Sequence, residues 1–271
     1  MPELNARLAR PHASIAFADS GGTGTPVVLI HGAGADHSIF EAQATALVQR
    51  GFRVIAWDLR GHGQSTLAEG VLFTGSDALA DMRALLGECN VNRPVLVGHS
   101  LGGNMAQTLA HDHPELVSAV VVMDSTWNTG PLTKFERLSL RLAAPLLSLI
   151  PAGRLPNVLA RASAVTPDAV ERAATIFAHM PKRRFIQVWR ATISFIEPQP
   201  QLRFPVPLAL VRGAEDRTGN IADAMPRWAA ADRVREQVIP HAGHLVTWDA
   251  PDQTSRTLIH ILEDWNMAPA E

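Results

Sequence analysis

The sequence predicts an α/β fold in which a mostly parallel sheet is covered by helices on both faces and carries an inserted helical cap. Continuous apolar runs, typical of strands buried on both faces of a parallel sheet, alternate with helical patterns. Several of these runs lead directly into glycine-rich or acidic loops. The alternation stops at residues 125–200, where prolines interrupt a helical pattern. We therefore predict a core, residues 1–124 and 201–271, and a cap, residues 125–200.

The elements of the core follow in order along the chain. A first strand near 12–18 is expected at an edge of the sheet, and the later apolar runs are expected inside it. Right-handed crossovers would place the intervening helices on both faces. The further strands are predicted at 26–30, 52–58, 95–97, 117–123, 206–212 and 236–239. The helices are predicted at 36–50 (capped by Asp36 or Ser38), from Ser76 onward, at 104–110, 221–230 and 252–265.

Composition limits the classes of protein to consider. The 271 residues are 46% hydrophobic and 18% charged, which is enough apolar material for a large core. The net charge of -2 gives no argument for nucleic acid or an anionic membrane as a partner. Residues 1–7 contain no apolar leader, and the best apolar stretch, 138–150, is broken by Arg141 and Pro145. The lone Cys89 excludes an internal disulfide, so we expect a cytoplasmic protein.

The pattern Gly-x-Ser-x-Gly at residues 98–102 is the main indication of chemistry. It lies between the apolar run 95–97 and the helical pattern 104–110. Such a pattern places the serine on a strained strand-to-helix turn, with its hydroxyl clear of the sheet. Ser100 is therefore the candidate nucleophile.

A serine hydroxyl needs a base, and the base needs an orienting carboxylate. His244, in the loop after the last predicted strand, is the candidate base. Asp216 follows the strand 206–212 and is the first candidate for the acid, with Asp124 and Glu215 as alternatives. The order serine, acid, histidine is typical of hydrolases that carry such a turn.

An acyl-transfer site also needs donors for the developing oxyanion. The backbone N–H of Leu101, at a helix N-terminus, and that of Ala33, in the loop after the strand 26–30, are the candidates. No pair of histidines has a convincing set of further ligands, so we predict neither a metal nor a cofactor.

With these motifs in order, the chain resembles the α/β-hydrolase fold family over roughly residues 27–265, and the cap is the least similar part. The resemblance implies that Ser100, Asp216 and His244 take the nucleophile, acid and base positions, and that Ala33 and Leu101 take the oxyanion positions. It implies a structural role for the loop that starts at Asp58. The matching blocks are 31–34 (HGAG), 58–65 (DLRGHGQS), 98–103 (GHSLGG), 213–216 (GAED), 243–244 (GH) and 249–251 (DAP).

Serine at the turn argues against the branches with a carboxylate nucleophile, epoxide hydrolases and haloalkane dehalogenases, and the chain also lacks the tyrosines typical of epoxide hydrolases. Esterase, lactonase, thioesterase, carbon–carbon bond hydrolase and perhydrolase chemistry remain. We expect a serine hydrolase that cleaves a small, largely apolar carboxylic ester or lactone. The alternatives are a carbon–carbon bond hydrolase of the vinylogous diketone type and a ligand receptor with vestigial catalysis.

The expected partner is a small-molecule substrate, and the cap is expected to shape its pocket. The arginines of the cap could steer an anionic substrate or simply form a solvated surface. The candidate pocket residues are Gly32, His99, Trp127, Phe135 and Trp189.

Overall fold

The computed structural model describes residues 3–267, and within them a nine-stranded sheet forms the centre of the molecule. Its order is β1-β2-β4-β3-β6-β7-β8-β9, with β5 paired to β2. The strands from β4 to β9 in this order run parallel, and β1, β2 and β5 are antiparallel. The strands are β1 (Ala6–Arg10), β2 (Ala13–Asp19), β3 (Pro26–Ile30), β4 (Arg53–Trp57), β5 (Thr66–Leu67), β6 (Val95–His99), β7 (Ala119–Met123), β8 (Leu208–Gly213) and β9 (Glu236–Ile239).

Helices cover both faces of this sheet, as the sequence predicts. One apolar core contains side chains of α2, α3 and α8, and a second core on the opposite face contains side chains of α1 and α10. The helices are α1 (Glu41–Gln49), α2 (Gly75–Glu88), α3 (Leu101–Asp112), α4 (Lys134–Leu149), α5 (Leu155–Ser163), α6 (Pro167–Ala178), α7 (Lys182–Ser194), α8 (Ile221–Asp232), α9 (Val246–Asp249) and α10 (Pro251–Asp264).

Because these strands run parallel, the loops that follow β3, β6, β7 and β8 lie at one edge of the sheet. Ile30 pairs with Gly98, and His99 pairs with Met123, so β3, β6 and β7 end side by side. Strand β8 pairs with β7 in the same direction. We call this the carboxyl edge, meaning the loops that follow β3, β6, β7 and β8. Ligands of open α/β sheets bind at this edge.

The first strand differs from expectation. We predicted an edge strand at 12–18, but β2 is interior because β1 pairs along its outer side. Strand β1 escaped prediction because it alternates half-buried Ala6 and Leu8 with exposed residues and contains two arginines. At α1, Asp36 caps a short 3-10 turn over His37–Phe40, and the α-helix begins only at Glu41.

Helices α4 to α7 all lie between β7 and β8, in the segment predicted to form the cap. We keep the name insertion for residues 125–200. The division at 124/125 and 200/201 stays a prediction, and residues 1, 2 and 268–271, which the predicted core and the leader-free N-terminus include, lie outside the described residues. Across residues 3–267, the structure contains no helix with the length and apolar character to span a membrane.

Candidate active site

Ser100 lies at the junction of β6 and α3 in a strained backbone conformation. Its φ of 52° and ψ of -118° are rare for a residue with a side chain, and such strain concentrates at functional sites. The turn is held from both sides, since the Ser100 N–H donates to the carbonyl of Met123 (3.0 Å) and Ser125 Oγ donates to the carbonyl of Ser100 (2.7 Å). The packed surroundings therefore fix the direction of the Ser100 side chain.

The two glycines that flank Ser100 have a steric reason. A Cβ at Gly98 would collide with the carbonyl of Gly102, and a Cβ at Gly102 would collide with the carbonyl of Ile30. Both contacts are with backbone atoms that cannot move aside without breaking the sheet or the helix. The Gly-x-Ser-x-Gly pattern is thus explained by close approach of α3 to β3 and β6.

His244 contacts the carboxylate of Asp216. Its Nδ1 lies 3.0 Å from Asp216 Oδ2, and both side chains are buried. A carboxylate can only accept, so Nδ1 carries the proton and Nε2 is left with a lone pair. Burial alone would raise the pKa of Asp216, but the neighbouring His244 and its hydrogen bond, with the Thr218 N–H (2.8 Å to Oδ1), bring that pKa below its ordinary value. Asp216 is therefore ionised at neutral pH.

The other two acid candidates have different surroundings. Asp124 is fully buried, and its Oδ1 accepts from the Gly213 N–H at 2.8 Å. Burial and the neighbouring Asp216 raise the pKa of Asp124 well above its ordinary value, so its surroundings favour the protonated carboxyl. Its atoms lie within 4.8 Å of those of Asp216 and His244. Glu215 is exposed. The structure thus brings Asp216, and not Glu215, to the histidine.

A second histidine, His99, contacts the backbone of His244. His99 Nε2 lies 2.7 Å from the carbonyl of His244, to which it donates, and the two rings are 4.8 Å apart. Burial, with the nearby His244, lowers the pKa of His99 to about 3, so the ring is neutral. The sequence placed His99 in the pocket, and the structure adds that it fixes the backbone of the candidate base. No local sequence signal indicates this contact, which joins residues far apart in the chain.

The candidate oxyanion donors come from two loops of the carboxyl edge. Leu101 is the first residue of α3, where N–H groups have no acceptor within the helix. Ala33 follows Gly32 after β3 and lines the same cavity as Ser100. His31 holds this loop, since its Nδ1 donates to the Gly32 carbonyl (2.8 Å) and its Nε2 accepts from the Leu59 N–H (2.9 Å).

Asp58 joins the loop after β3 to the loop after β4. It is fully buried, and its Oδ1 accepts from both the N–H and Nδ1 of His37, each at 2.8 Å. Its Oδ2 accepts from the Gln64 N–H at 2.7 Å. Asp36, His37 and Asp58 are close enough to surround a cation, but both oxygens of Asp58 and Nδ1 of His37 are used in these bonds, and Asp36 Oδ1 caps Ser38. The geometry is that of a structural link between loops.

An apolar cavity of about 340 Å³ lies beside these residues, between the carboxyl edge and the insertion. Ser100, His244, Gly32, Ala33 and His99 line it from the core. The insertion adds side chains of its four helices, α4 to α7, and of the residue that follows α4, all of which are apolar except Ser163. These residues are Ala143, Leu146, Leu147, Ile150, Leu159, Ala162, Ser163, Phe177, Phe185 and Trp189.

Two of the predicted pocket residues lie elsewhere. Trp127 is buried in the core, where it stacks on Trp228 at 6.0 Å, and Phe135 on α4 is 77% exposed to solvent. Both predictions were wrong, because a sequence does not show which side of a cap element faces the cavity. Trp189 does line the cavity, together with Phe177 and Phe185.

The comparisons with known proteins agree with this architecture. The thermophilic esterase of Thermogutta terrifontis superposes with a TM-score of 0.78 at 24% identity, over 96% of this chain and 98% of that one. The enol-lactonase of Burkholderia xenovorans LB400 superposes with a TM-score of 0.78 at 19% identity, over 95% and 100%. At such identities the likeness concerns the fold.

Two sequence relatives with higher identity match a shorter part of the chain. The sn-1-specific diacylglycerol lipase ABHD11 of Danio rerio is 39% identical over 107 residues, which are 39% of this chain and 33% of that protein. The match thus spans about a third of the relative's length. A protein of Mycobacterium phage D29 that bears the name of a non-heme haloperoxidase is also 39% identical, and the match covers 37% of its length. The sequence model of the alpha/beta hydrolase fold matches residues 25–251, and this chain therefore belongs to the alpha/beta hydrolase fold family.

Proposed function

We propose that this protein is a serine hydrolase that cleaves a small, largely apolar carboxylic ester or lactone through an acyl-enzyme. The observation that carries the proposal is that His244, hydrogen-bonded to Asp216 at 3.0 Å, lines the same apolar cavity as the strained Ser100. A nucleophile, a base and an oriented carboxylate are the parts that acyl transfer by serine requires.

In the proposed reaction Ser100 Oγ attacks the acyl carbon. Its proton passes to His244 Nε2, which is free to accept because Nδ1 donates to Asp216. The N–H groups of Leu101 and Ala33 receive the oxyanion of the tetrahedral intermediate. The imidazolium then gives its proton to the leaving alcohol oxygen, and water hydrolyses the acyl-enzyme by the same transfers.

The assignment of the acid rests on the contact with His244 and on the surroundings of the two carboxyl groups. Asp216 accepts from His244 Nδ1 at 3.0 Å and its pKa is lowered, so it can stabilise the imidazolium, whereas the raised pKa of Asp124 favours its neutral form. Asp124 also has one oxygen engaged by the Gly213 N–H. We therefore assign the role of the acid to Asp216.

The cavity supports an apolar substrate of modest size. Its volume of about 340 Å³ is at the small end of ligand cavities, and its walls are mainly aliphatic and aromatic. The carbon–carbon bond hydrolase alternative would depend on an arginine of the cap, but among the described residues that line the cavity the only arginine is Arg217, which follows β8 in the core. An ester or lactone therefore suits this cavity better.

The proposal is tested by turnover of a panel of short-chain esters, lactones and thioesters with Ser100→Ala. We expect a loss of roughly 10⁴-fold or more, since removal of the nucleophile abolishes the covalent route. Ser163→Ala is the matched control, because Ser163 lines the same cavity outside the strained turn. It should keep most of the activity.

A fluorophosphonate probe separates the enzyme from the receptor alternative. Rapid labelling of the wild-type protein at Ser100, abolished in Ser100→Ala, supports an enzyme. Unchanged ester turnover in Ser100→Ala would refute the mechanism, and tight ligand binding without labelling would favour a receptor.

A further inference from the structure

Helix α4 carries a stripe of large apolar side chains that face solvent. Of the eleven large apolar side chains that are exposed in residues 3–267, five lie on this one helix. Their spacing of three or four residues puts them on one side of the helix, along about 21 Å of its axis. They are Phe135 (77% exposed), Leu138 (53%), Leu142 (46%), Leu146 (59%) and Leu149 (77%).

The helix is anchored at both ends, so the stripe is a defined surface. At the N-terminus, Thr133 and Glu136 form a capping box, and Arg227 of α8 donates to Glu136 Oε1 at 3.0 Å. At the C-terminus, Lys182 of α7 donates from Nζ to the carbonyl of Ile150 at 2.6 Å. These bonds tie α4 to the core at one end and to α7 at the other.

The insertion is strongly basic although the chain as a whole is slightly acidic. Residues 125–200 contain ten lysines and arginines and four carboxylates, a formal charge of +6, whereas the whole chain carries -2. On α4 itself, Lys134, Arg137 and Arg141 are exposed and lie along one flank of the stripe. Within residues 3–267, none of these three forms an ion pair with a carboxylate.

The stripe is continuous with the cavity of the candidate active site. Leu146 belongs to the exposed stripe and also lines the cavity. Its neighbours Ala143, Leu147 and Ile150 line the cavity as well. An apolar path therefore leads from the outer face of α4 to the space beside Ser100.

We propose that the outer face of α4 docks on the surface of an anionic lipid bilayer. The apolar stripe would enter the boundary between headgroups and acyl chains, as amphipathic helices parallel to a membrane do. Lys134, Arg137 and Arg141 would contact the phosphates of anionic lipids, whose surface potential attracts clustered basic residues. An apolar substrate dissolved in the bilayer could then reach the cavity along Leu146 without crossing water.

The positive charge on the outer face of α4 favours an anionic bilayer, and not a second copy of the chain, as the occupant of this surface. A symmetric dimer through α4 would place the same surface of two molecules together. That arrangement would bring Lys134, Arg137 and Arg141 of one copy close to the same basic residues of the other, in an insertion that carries +6. Like charges opposed in this way are destabilising, whereas an anionic surface is complementary.

Two vesicle populations test the proposal by flotation of the full-length protein. Phosphatidylcholine vesicles with about one third phosphatidylglycerol should bind it, and pure phosphatidylcholine vesicles should bind it at least about tenfold more weakly. Raising the salt concentration from about 0.1 M to 1 M should weaken binding to the anionic vesicles, because salt screens the lipid charge. The double variant Leu138→Glu/Leu142→Glu should lose at least about tenfold in binding to the anionic vesicles.

Leu72→Glu is the matched control, since Leu72 is 56% exposed, close to the value for Leu138, but lies outside α4. It should bind anionic vesicles as the wild type does. Leu138 and Leu142 do not line the cavity, so turnover of a soluble ester should stay within about twofold in the double variant, which separates this test from that of the proposed function.

Three results would overturn the proposal. The first is failure of the wild type to bind anionic vesicles. The second is unchanged binding in the double variant. The third is a dimer in sedimentation experiments that Leu138→Glu/Leu142→Glu dissociates, since the stripe would then be covered by a second copy.

Discussion

The described part of the core and the insertion differ in where they place charged and apolar side chains. The buried charged side chains of the described residues, such as Asp58, Asp81 and Asp216, all lie outside residues 125–200. Of the eleven exposed large apolar side chains in the same part of the chain, seven lie within residues 125–200. The core therefore holds charges inside, fixed by hydrogen bonds, and the insertion holds apolar surface outside. Substitutions in the core should change catalysis and stability, and those in the insertion should change affinity.

The largest effect is expected at the two carboxyl groups of the carboxyl edge. Asp216→Asn should lower turnover by about 10³-fold or more, because an amide cannot hold the histidine tautomer or stabilise the imidazolium. Asp124→Asn should stay within about tenfold of the wild type, since the neutral amide resembles the protonated carboxyl in shape. Steady-state kinetics on a common ester substrate checks both.

The two variants also distinguish between the two candidates for the acid. If Asp124→Asn lost more activity than Asp216→Asn, the assignment would pass to Asp124. If both lost equally, the two carboxyl groups would act as one unit and the contrast between them would fail.

The next effect concerns stability, at a buried ion pair of the core. Arg60 donates to both oxygens of Asp81, at 2.6 and 2.7 Å, and Arg10 adds a third bond at 3.0 Å. Asp81→Ala leaves the Arg60 guanidinium buried without its main partner, which should lower the free energy of unfolding by about 3 kcal/mol. Urea denaturation measures this difference.

The matched control is an exposed pair between the insertion and the core. Arg172 lies 3.2 Å from Glu41, and both side chains are at least half exposed. Arg172→Gln should lower the free energy of unfolding by less than about 1 kcal/mol, because solvent screens such a pair. Equal losses of unfolding free energy in Asp81→Ala and Arg172→Gln would contradict the contrast between the core and the insertion.

Motifs made part of the carboxyl edge predictable. The turn around Ser100 needs glycines for steric reasons that any sequence with this geometry must meet. Strands β3, β6 and β7 were predicted from continuous apolar runs, whereas their pairing is seen only in the structure. Asp216 was the first candidate for the acid, but Asp124 stayed an alternative because both residues follow buried strands. In the structure Asp216 Oδ2 lies 3.0 Å from His244 Nδ1, and the pKa of Asp124 is raised.

The insertion was less predictable for a different reason. Its helices were expected, but the direction of each side chain depends on packing between elements far apart in sequence. Trp127 packs on Trp228 of α8, and the apolar residues of α4 face water, although both patterns are typical of a cap that packs inward. The net charge of the whole chain, -2, also gave no indication that residues 125–200 carry a formal charge of +6.

A pH-dependent effect is expected from Asp124. Its carboxyl stays protonated in the folded protein at pH values where it ionises in the unfolded chain, because burial and Asp216 raise its pKa. The unfolded state then binds fewer protons, so this group lowers stability as pH rises toward its folded pKa. Asn does not titrate. As pH rises, the free energy of unfolding of Asp124→Asn should therefore increase relative to that of the wild type, by up to about 1.4 kcal/mol per pH unit.

Urea unfolding between about pH 5 and 8 measures this difference, and the buried histidines cancel because both proteins contain them. Asp19→Asn is the control, since the hydrogen bond from Arg53 lowers the pKa of Asp19 and confines its titration to more acidic pH, and Asp124 is not among its partners. Its difference from the wild type should be constant over this range. A constant difference for Asp124→Asn would mean that Asp124 is ionised in the folded protein.

The smallest effect is expected in the insertion and concerns substrate binding. Trp189 lines the cavity and packs near Phe185, with ring centroids 6.5 Å apart, whereas Phe135 is exposed on α4. Trp189→Ala removes apolar wall and should raise KM for an apolar ester by about three- to tenfold, with a smaller change in kcat. Phe135→Ala should leave both constants for a soluble ester unchanged. A fall in kcat with unchanged KM in Trp189→Ala would place this side chain among the groups that act in the chemical step, and the division of roles between insertion and carboxyl edge would fail at that position.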